Sequence, residues 1–584
     1  YYLLTEILRN RWSFQGYVYS DWGAIDMLHT FQHTASSQTE AAIQAISAGL
    51  DVEASSECFP HLIAMVKEKK IDEKLIDKAV SRVLLAKFRM GLFEDPYGEK
   101  YEAQSLHSRE NIRVARQIAD ESTVLLKNDK GLLPLNLSEL NSIAVIGPNA
   151  DQVQFGDYTW SRTNKDGVTP LEGIRKLTEP FGIQIRYAQG CSMMSLDTIH
   201  IASAVEAARQ SDVAILFCGS SSASLARDYN ETNCGEGFDL ADLALTGAQG
   251  KLIKAIHATG KPVILVLVTG KPFSIAWEKK HIPAILIQWY AGEQEGSSIA
   301  NILFGKTNPS GHLTVSFPQS SGHLPAYYNH LPTDRGFYHK PGSYEQPGRD
   351  YVFSSPGPLW AFGHGLTYTT FNYTDMQIQQ SIDSIKVFVT VKNTGRWAGK
   401  AVPQLYVRDV FSSISTPVKQ LKAFNKVALE PGETTRVPLH FAVQDLALTD
   451  EAGKTMVEPG SFEIMIGDAS DHILLKQTIS IGQNMAVSPC SIKEQLPEEI
   501  GKGNIIHIKG VVRDVQATPV DKVEIYSTAQ QQVIGVTDQN GKYFIDAPED
   551  DVLVFCKSGY LDEKVNVDRK NDIQITIRNK MVFP

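Results

Sequence analysis

Four apolar runs without alternation, at residues 143–146, 213–217, 263–268 and 284–289, constrain this 584-residue chain more than any other feature of it. A strand with one wet face alternates apolar and polar side chains, whereas a strand covered on both faces has no need to. Helix candidates at 202–208 and 249–256 fall between the runs. Strands and helices in this order predict a mostly parallel sheet with helices on both faces, an α/β sandwich over residues 111–325.

The flanks read differently. Residues 1–110 join a short apolar strand candidate at 17–19 to amphipathic helices, the longest carrying Ile71, Leu75, Ile76, Ala79, Val80, Val83, Leu84 and Phe88 at three-and-four spacing, with Asp72 near its start. Two or three such units are too few to close, so the expectation is part of a (β/α) barrel or an open sheet. Residues 3–8 read as a helix in progress without a cap, and the chain is expected to be a fragment. Residues 326–374, rich in Pro, Gly and Tyr, read as a long ordered linker. From 375 the helices stop. Strand candidates at 385–391, 401–407, 435–441 and 461–466, with turns at Lys392-Asn393-Thr394-Gly395 and Glu430-Pro431-Gly432, predict a β-sandwich over 375–483. After a polar stretch around 484–503, five short strands at 506–512, 523–526, 533–537, 543–545 and 552–555 predict a second, smaller sandwich over 504–580. The class is multidomain α/β plus β.

Composition narrows the function. With 56 Lys plus Arg against 66 Asp plus Glu, the net charge of −10 repels a phosphate backbone, so nucleic acid is not expected as a partner. No apolar stretch approaches the roughly 18 residues that span a bilayer. Six Cys without CxxC spacing point to neither a disulfide scaffold nor a zinc or redox site. Cys218 and Cys556 read as small buried thiols, and a Cys191–Cys234 bridge stays open.

Two carboxylates draw attention. Asp21 follows the strand candidate and precedes Trp22 and Gly23, which puts it at the carboxyl end of a βα strand, where barrel enzymes place catalytic groups. Read from position alone, it fits better as a cap of the following helix, since Asp is a preferred N-cap. Trp22 offers either a flat face for a sugar ring or ordinary core packing. Glu236 stands between Gly235 and Gly237 in the loop after the 213–217 run, in either a side-chain-presenting loop or a solvated acidic one. One carboxylate to attack an anomeric carbon and another to protonate the leaving oxygen is what a glycosidase needs.

The run Leu8-Arg9-Asn10-Arg11-Trp12-Ser13-Phe14-Gln15-Gly16-Tyr17-Val18-Tyr19-Ser20-Asp21-Trp22 resembles the nucleophile segment of family-three glycoside hydrolases, the β-glucosidase and β-xylosidase family. Ala48-Gly49-Leu50-Asp51, Gly147-Pro148-Asn149-Ala150-Asp151, Gly235-Glu236-Gly237-Phe238-Asp239, Ala291-Gly292-Glu293-Gln294-Glu295-Gly296 and Phe362-Gly363-His364-Gly365-Leu366-Thr367-Tyr368 follow in the family's order, over residues 1–483. By this resemblance residues 1–110 are the C-terminal remnant of the barrel and 375–483 a fibronectin-type-III-like domain. The last module resembles the carboxypeptidase-regulatory-type Ig-like domains appended to bacterial exported proteins.

The resemblance implies an exo-acting retaining β-glycosidase acting on terminal β-D-glucosyl or β-D-xylosyl residues, or on α-L-arabinofuranosides. Asp21 would be the nucleophile, Glu236 the acid and later the base, and Trp22 the border of the +1 sugar. Leu240 stands where many members carry Arg, which leaves Glu231 as a fallback acid; Glu293 and Glu295 read as structural. No metal or cofactor is expected, the partner is an oligosaccharide, and a homodimer stays open. Export to the periplasm or beyond is expected from the appended module. Because the family's glycon-binding strands mostly precede the nucleophile, the chain alone is expected to be inactive. A non-catalytic carbohydrate-binding or scaffold protein is the competing reading.

Overall fold

The structure, a computed structural model, describes residues 1–97, 107–159, 161, 163–222, 229–333, 336, 338–343, 345–482, 485–486, 505–514, 517–527, 532–548, 551–557, 563–567 and 572–576. It comprises two compact units, Tyr1–Val487 and Ser488–Pro584.

In the first unit, Tyr2–Arg11 forms a helix, but one with π-type spacing: the Trp12 N–H donates to the Ile7 carbonyl, five residues back. Two parallel strands follow, β1 (Tyr19–Trp22) and β2 (Val52–Ala54), linked by α1 (Ala24–Thr30) and α2 (Gln38–Ala48). Then come α3 (Leu62–Lys67) and α4 (Glu73–Arg89), whose N-terminus Asp72 caps by accepting the Lys74 N–H. Ile25, Ala41, Ala42, Ile46, Leu50, Leu62 and Ala79 form the small core of this region.

Helix α5 (Arg109–Ser122) leads into a six-stranded sheet made of β3 (Val124–Asn128), β4 (Ser142–Ile146), β5 (Gln184–Ala188), β6 (Val213–Gly219), β7 (Val263–Val268) and β8 (Ala284–Gln288). The order is β3-β8-β7-β6-β4-β5, all parallel except β3, which runs antiparallel at one edge. Each central strand divides its side chains between two cores. Val213, Ile215 and Phe217 of β6 face a core shared with α6 (Pro170–Thr178) and α10 (Glu295–Leu303). Ala214, Leu216 and Cys218 face the opposite core with α7 (Ile201–Arg209) and α8 (Gln249–His257). Two-sided burial is why these segments are apolar without alternation. The short α9 (Ala276–His281) joins β7 to β8.

The segment after α10 lies on this sheet: Trp360 Nε1 donates to the Leu126 carbonyl at 3.1 Å and the indole is buried. The β-sandwich begins with Phe371–Gln380, a strand the sequence reading leaves partly in the linker. One of its sheets is Thr434–Ala442, Ser384–Asn393 and Phe371–Gln380; the other is Gln420–Phe424, Gln404–Asp409, Gly460–Ala469 and His472–Ile481. Ile385, Val387, Val389 and Val391 alternate into its core. The strand expected at 401–407 is split into Gly399–Ala401 and Gln404–Asp409.

The second unit pairs two sheets over Ile508, Val523, Ile525, Ile545, Leu553 and Phe555. Two strands beyond the five expected, Glu563–Asn566 and Ile575–Thr576, complete the edges. Of the polar stretch at 484–503, all but residues 485–486 lie outside the described residues. Cys191 and Cys234, left open as a bridge, are both free and buried. Cys218 is fully buried, whereas Cys556 is only half-buried.

Candidate active site

Asp51 anchors the strand that ends in Asp21. Its side chain is fully buried and accepts from Arg9 Nη2 at 2.5 Å, Arg82 Nη1 at 2.7 Å and the Val18 N–H at 2.8 Å. That network joins the first helix, α4 and the entry to β1. At the other end of β1 the buried Ser20 hydroxyl donates to the Asp21 carbonyl at 2.8 Å and accepts the Ala54 N–H at 2.9 Å, stitching β1 to β2.

Asp21 is exposed, and its Oδ1 accepts the N–H of Trp22 at 2.6 Å, leaving Oδ2 without a bonded partner among the described residues. The indole of Trp22 is 72 % exposed, so it takes no part in a core. The capping alternative for Asp21 is excluded, because the N-cap of α1 is Gly23 and no side chain makes a cap hydrogen bond there.

Glu236 lies where the sheet changes direction. Strand β4 is followed by α6 on one face and its neighbour β6 by α8 on the other, and open parallel sheets bind ligands at such a crevice outside the strands' carboxyl ends. The loops leaving β4 and β6 meet there. Asn149, fully buried, donates to the carbonyls of Ser220 and Val268 and so ties the ends of β6 and β7 to the loop after β4. Glu295, also buried, accepts the Gln154 N–H at 2.7 Å, while Glu293 pairs with His107 at 2.6 Å.

Gly235 to Phe238 form a reverse turn closed by the Phe238 N–H on the Gly235 carbonyl at 3.1 Å, with φ +109° at Gly235 and +78° at Gly237. Both values fall where a side chain is disfavoured, which is why glycines flank the glutamate. The carboxylate of Glu236 stands exposed at the corner. Its backbone N–H donates to Asp157 Oδ2 at 2.9 Å, and Lys271 Nζ donates to the Phe238 carbonyl at 2.9 Å. Asp157 also accepts from the Ser222 hydroxyl.

Glu231, the fallback, accepts the Met193 N–H at 2.7 Å, so its carboxylate is engaged with backbone. Leu240 packs against the α7–α8 core, an apolar role that an arginine would not fill. Among the described residues no hydrogen bond or ion pair joins Asp21 to Glu236. Asp157 and Lys271 were not legible from sequence: both act on backbone atoms of a distant loop, a relation that leaves no spacing signal. Their one clue is position, in loops after strands.

Comparison with known proteins adds to this geometry. Residues 1–86 match the glycosyl hydrolase family 3 N terminal domain, residues 123–368 the family 3 C-terminal domain, and residues 401–470 a fibronectin type III-like domain. The chain is 37% identical to a beta-xylosidase of Formosa agariphila, covering 82% of this chain and 66% of that one. It is 36% identical to a periplasmic beta-glucosidase of Salmonella typhimurium, covering 81% and 64% respectively. It therefore spans slightly under two thirds of these relatives. Among solved structures it superposes on a Listeria innocua beta-glucosidase in complex with isofagomine with a TM-score of 0.73 at 32% identity, covering 82% of this chain and 66% of that one. A beta-glucosidase involved in saponin metabolism from intestinal bacteria gives 0.73 at 31%, covering 82% and 69%. With matches to the N terminal and C-terminal domains of the family, and 31% identity to a solved relative of which it covers 69%, the chain belongs to glycosyl hydrolase family 3.

Proposed function

We propose that this chain carries the catalytic carboxylates of an exo-acting retaining β-glycosidase, which removes terminal non-reducing β-D-glucosyl or β-D-xylosyl residues from oligosaccharides by double displacement. The observation that carries the reading is the exposed Asp21 carboxylate with a free Oδ2, at the carboxyl end of a parallel strand beside an exposed indole. In the first step Asp21 Oδ2 attacks the anomeric carbon while Glu236 gives its proton to the leaving oxygen. The Trp22 N–H on Oδ1 holds the carboxylate's orientation, and the indole borders the departing sugar. In the second step the Glu236 carboxylate takes a proton from water, whose oxygen displaces Asp21 and restores the original configuration. Retention requires the two carboxyl groups about 5–5.5 Å apart across the ring.

Asp21 and Trp22 stand exposed, so positioning contributes little and turnover by the 584-residue chain alone is slow. We read β1, β2 and helices α1–α4 as part of a (β/α) barrel, the second unit as a carboxypeptidase-regulatory-type Ig-like module, and the protein as exported to the periplasm or beyond. No described helix is long and apolar enough to cross a membrane. The test is covalent trapping: a 2-deoxy-2-fluoro β-glucoside or β-xyloside with a 2,4-dinitrophenyl leaving group should add one sugar to the peptide containing Asp21. A label on another residue overturns the assignment.

A further inference from the structure

We propose that Asp157 and Lys271 are positioning residues that clamp the Glu236 turn from both ends, a reading that rests on Glu236 being the acid. Its two glycines widen the backbone choices of the unconstrained loop, and the Phe238 N–H on the Gly235 carbonyl closes the turn. Two other loops bond its backbone. Asp157, in the loop after β4, accepts the N–H of Glu236 itself; Lys271, in the loop after β7, donates to the carbonyl of Phe238 two residues on.

Each contact is charge-assisted, and the charges match the peptide: an anion on the N–H, a cation on the carbonyl. Among the described residues neither side chain forms an ion pair with another, so both charges are directed at neutral partners and the backbone. The fit is tight at Gly235, where an added Cβ would overlap the Asp157 carboxylate. The Asp157 side chain is in turn fixed by the hydroxyl of the buried Ser222. The clamp thus spans the crevice between β4 and β6 and sets where the Glu236 carboxyl points.

Amide hydrogen exchange on the 584-residue chain tests the clamp without relying on turnover. Peptides covering 230–242 should exchange at least about tenfold faster in Asp157→Ala and in Lys271→Met, while those covering β4 and β7 stay unchanged. Asp157→Asn and Lys271→Arg, which keep an acceptor and a donor, should recover most of the protection. Unchanged exchange in the turn, or equal acceleration throughout the sheet, overturns the proposal. A catalytic readout separates clamp from acid. The rate with a phenyl β-glycoside should fall at least tenfold more than that with a 2,4-dinitrophenyl β-glycoside in Asp157→Ala, because only the poorer leaving group needs the proton. Glu236→Gln is the control. If it lacks this leaving-group dependence, the acid assignment fails; if it shows the dependence and both clamp variants do not, the clamp fails.

Discussion

Asp51 and Arg82 meet at 2.7 Å, and Arg9 reaches the other oxygen of the same carboxylate at 2.5 Å. The Asp51 side chain is wholly shielded from solvent and that of Arg9 nearly so. Such a triad is costly to break by halves, since removal of the anion leaves a buried guanidinium without a counter-charge. Asp51→Ala should therefore lower the unfolding free energy of the first unit by about 3–5 kcal/mol. Urea unfolding followed by tryptophan fluorescence checks this. A loss below about 1 kcal/mol, the value of an exposed pair, would show that the triad is hydrated in solution.

Helices α6 and α10 approach closely enough that their backbones touch. A Cβ on Gly173 would overlap the Gly296 carbonyl, and one on Gly296 would overlap the carbonyl of Thr169. The Gly296 N–H donates to the Val168 carbonyl at 2.8 Å across the same contact. Alanine at either position should force the helices apart and cost about 1–3 kcal/mol by overpacking, despite alanine's better helix propensity. Thermal unfolding of Gly173→Ala and Gly296→Ala measures it; a raised Tm in either would contradict the contact.

What the sequence made legible follows from which residues carry a periodic signal. The central strands β4, β6, β7 and β8 are apolar on both faces and were found within one or two residues. Strand β5, at the sheet edge, has Arg186 and Tyr187 exposed or half-exposed and no apolar run, so it carries no two-sided burial signal. Strand β3 is not among the runs expected from sequence, and its antiparallel direction is set by its pairing with β8, which local pattern does not write. Asp21 and Glu236 stood out because unusual neighbours, Trp22 and two glycines, mark them. Asp72, legible only as an acid near the start of α4, is its N-cap, whereas the capping alternative at Asp21 fails because Gly23 intervenes.

His312 gives the first unit an acid-sensitive point. Burial, the largest influence, pushes its imidazole down to about 4, against a free value of about 6.5, with the Ser310 carbonyl and Asp468 only partly opposing and Lys426 and His364 reinforcing. A depressed base is neutral in the fold but charged in the unfolded chain below pH 6.5, so the stability present above 6.5 is lost as pH falls from about 6.5 to about 4. The full loss, reached below about pH 4, is on the order of 3 kcal/mol. His312→Gln should flatten the pH dependence of Tm across that window and leave it unchanged above pH 7. An identical slope in the variant would place the imidazole in contact with water.

Azide rescue decides which carboxylate does what. On the proposed roles Glu236→Ala removes the proton donor and Asp21 remains the nucleophile, so the first step with a phenyl β-glycoside should slow by about 10²–10⁴-fold, whereas a 2,4-dinitrophenyl glycoside, whose leaving group needs little protonation, should still load the sugar onto Asp21. The second step then stalls, because water has lost its base. Azide needs none. Added azide should displace Asp21 from the glycosyl-enzyme and release a β-glycosyl azide, two inversions having restored the starting configuration. Asp21→Ala removes the nucleophile instead; azide can then occupy its place and attack the intact β-glycoside once, giving the α-azide. NMR of the two products therefore reads the face on which each carboxylate stands. A β-azide from Asp21→Ala, or an α-azide from Glu236→Ala, would exchange the two roles, and the exposed Oδ2 at the end of β1 would then belong to the acid.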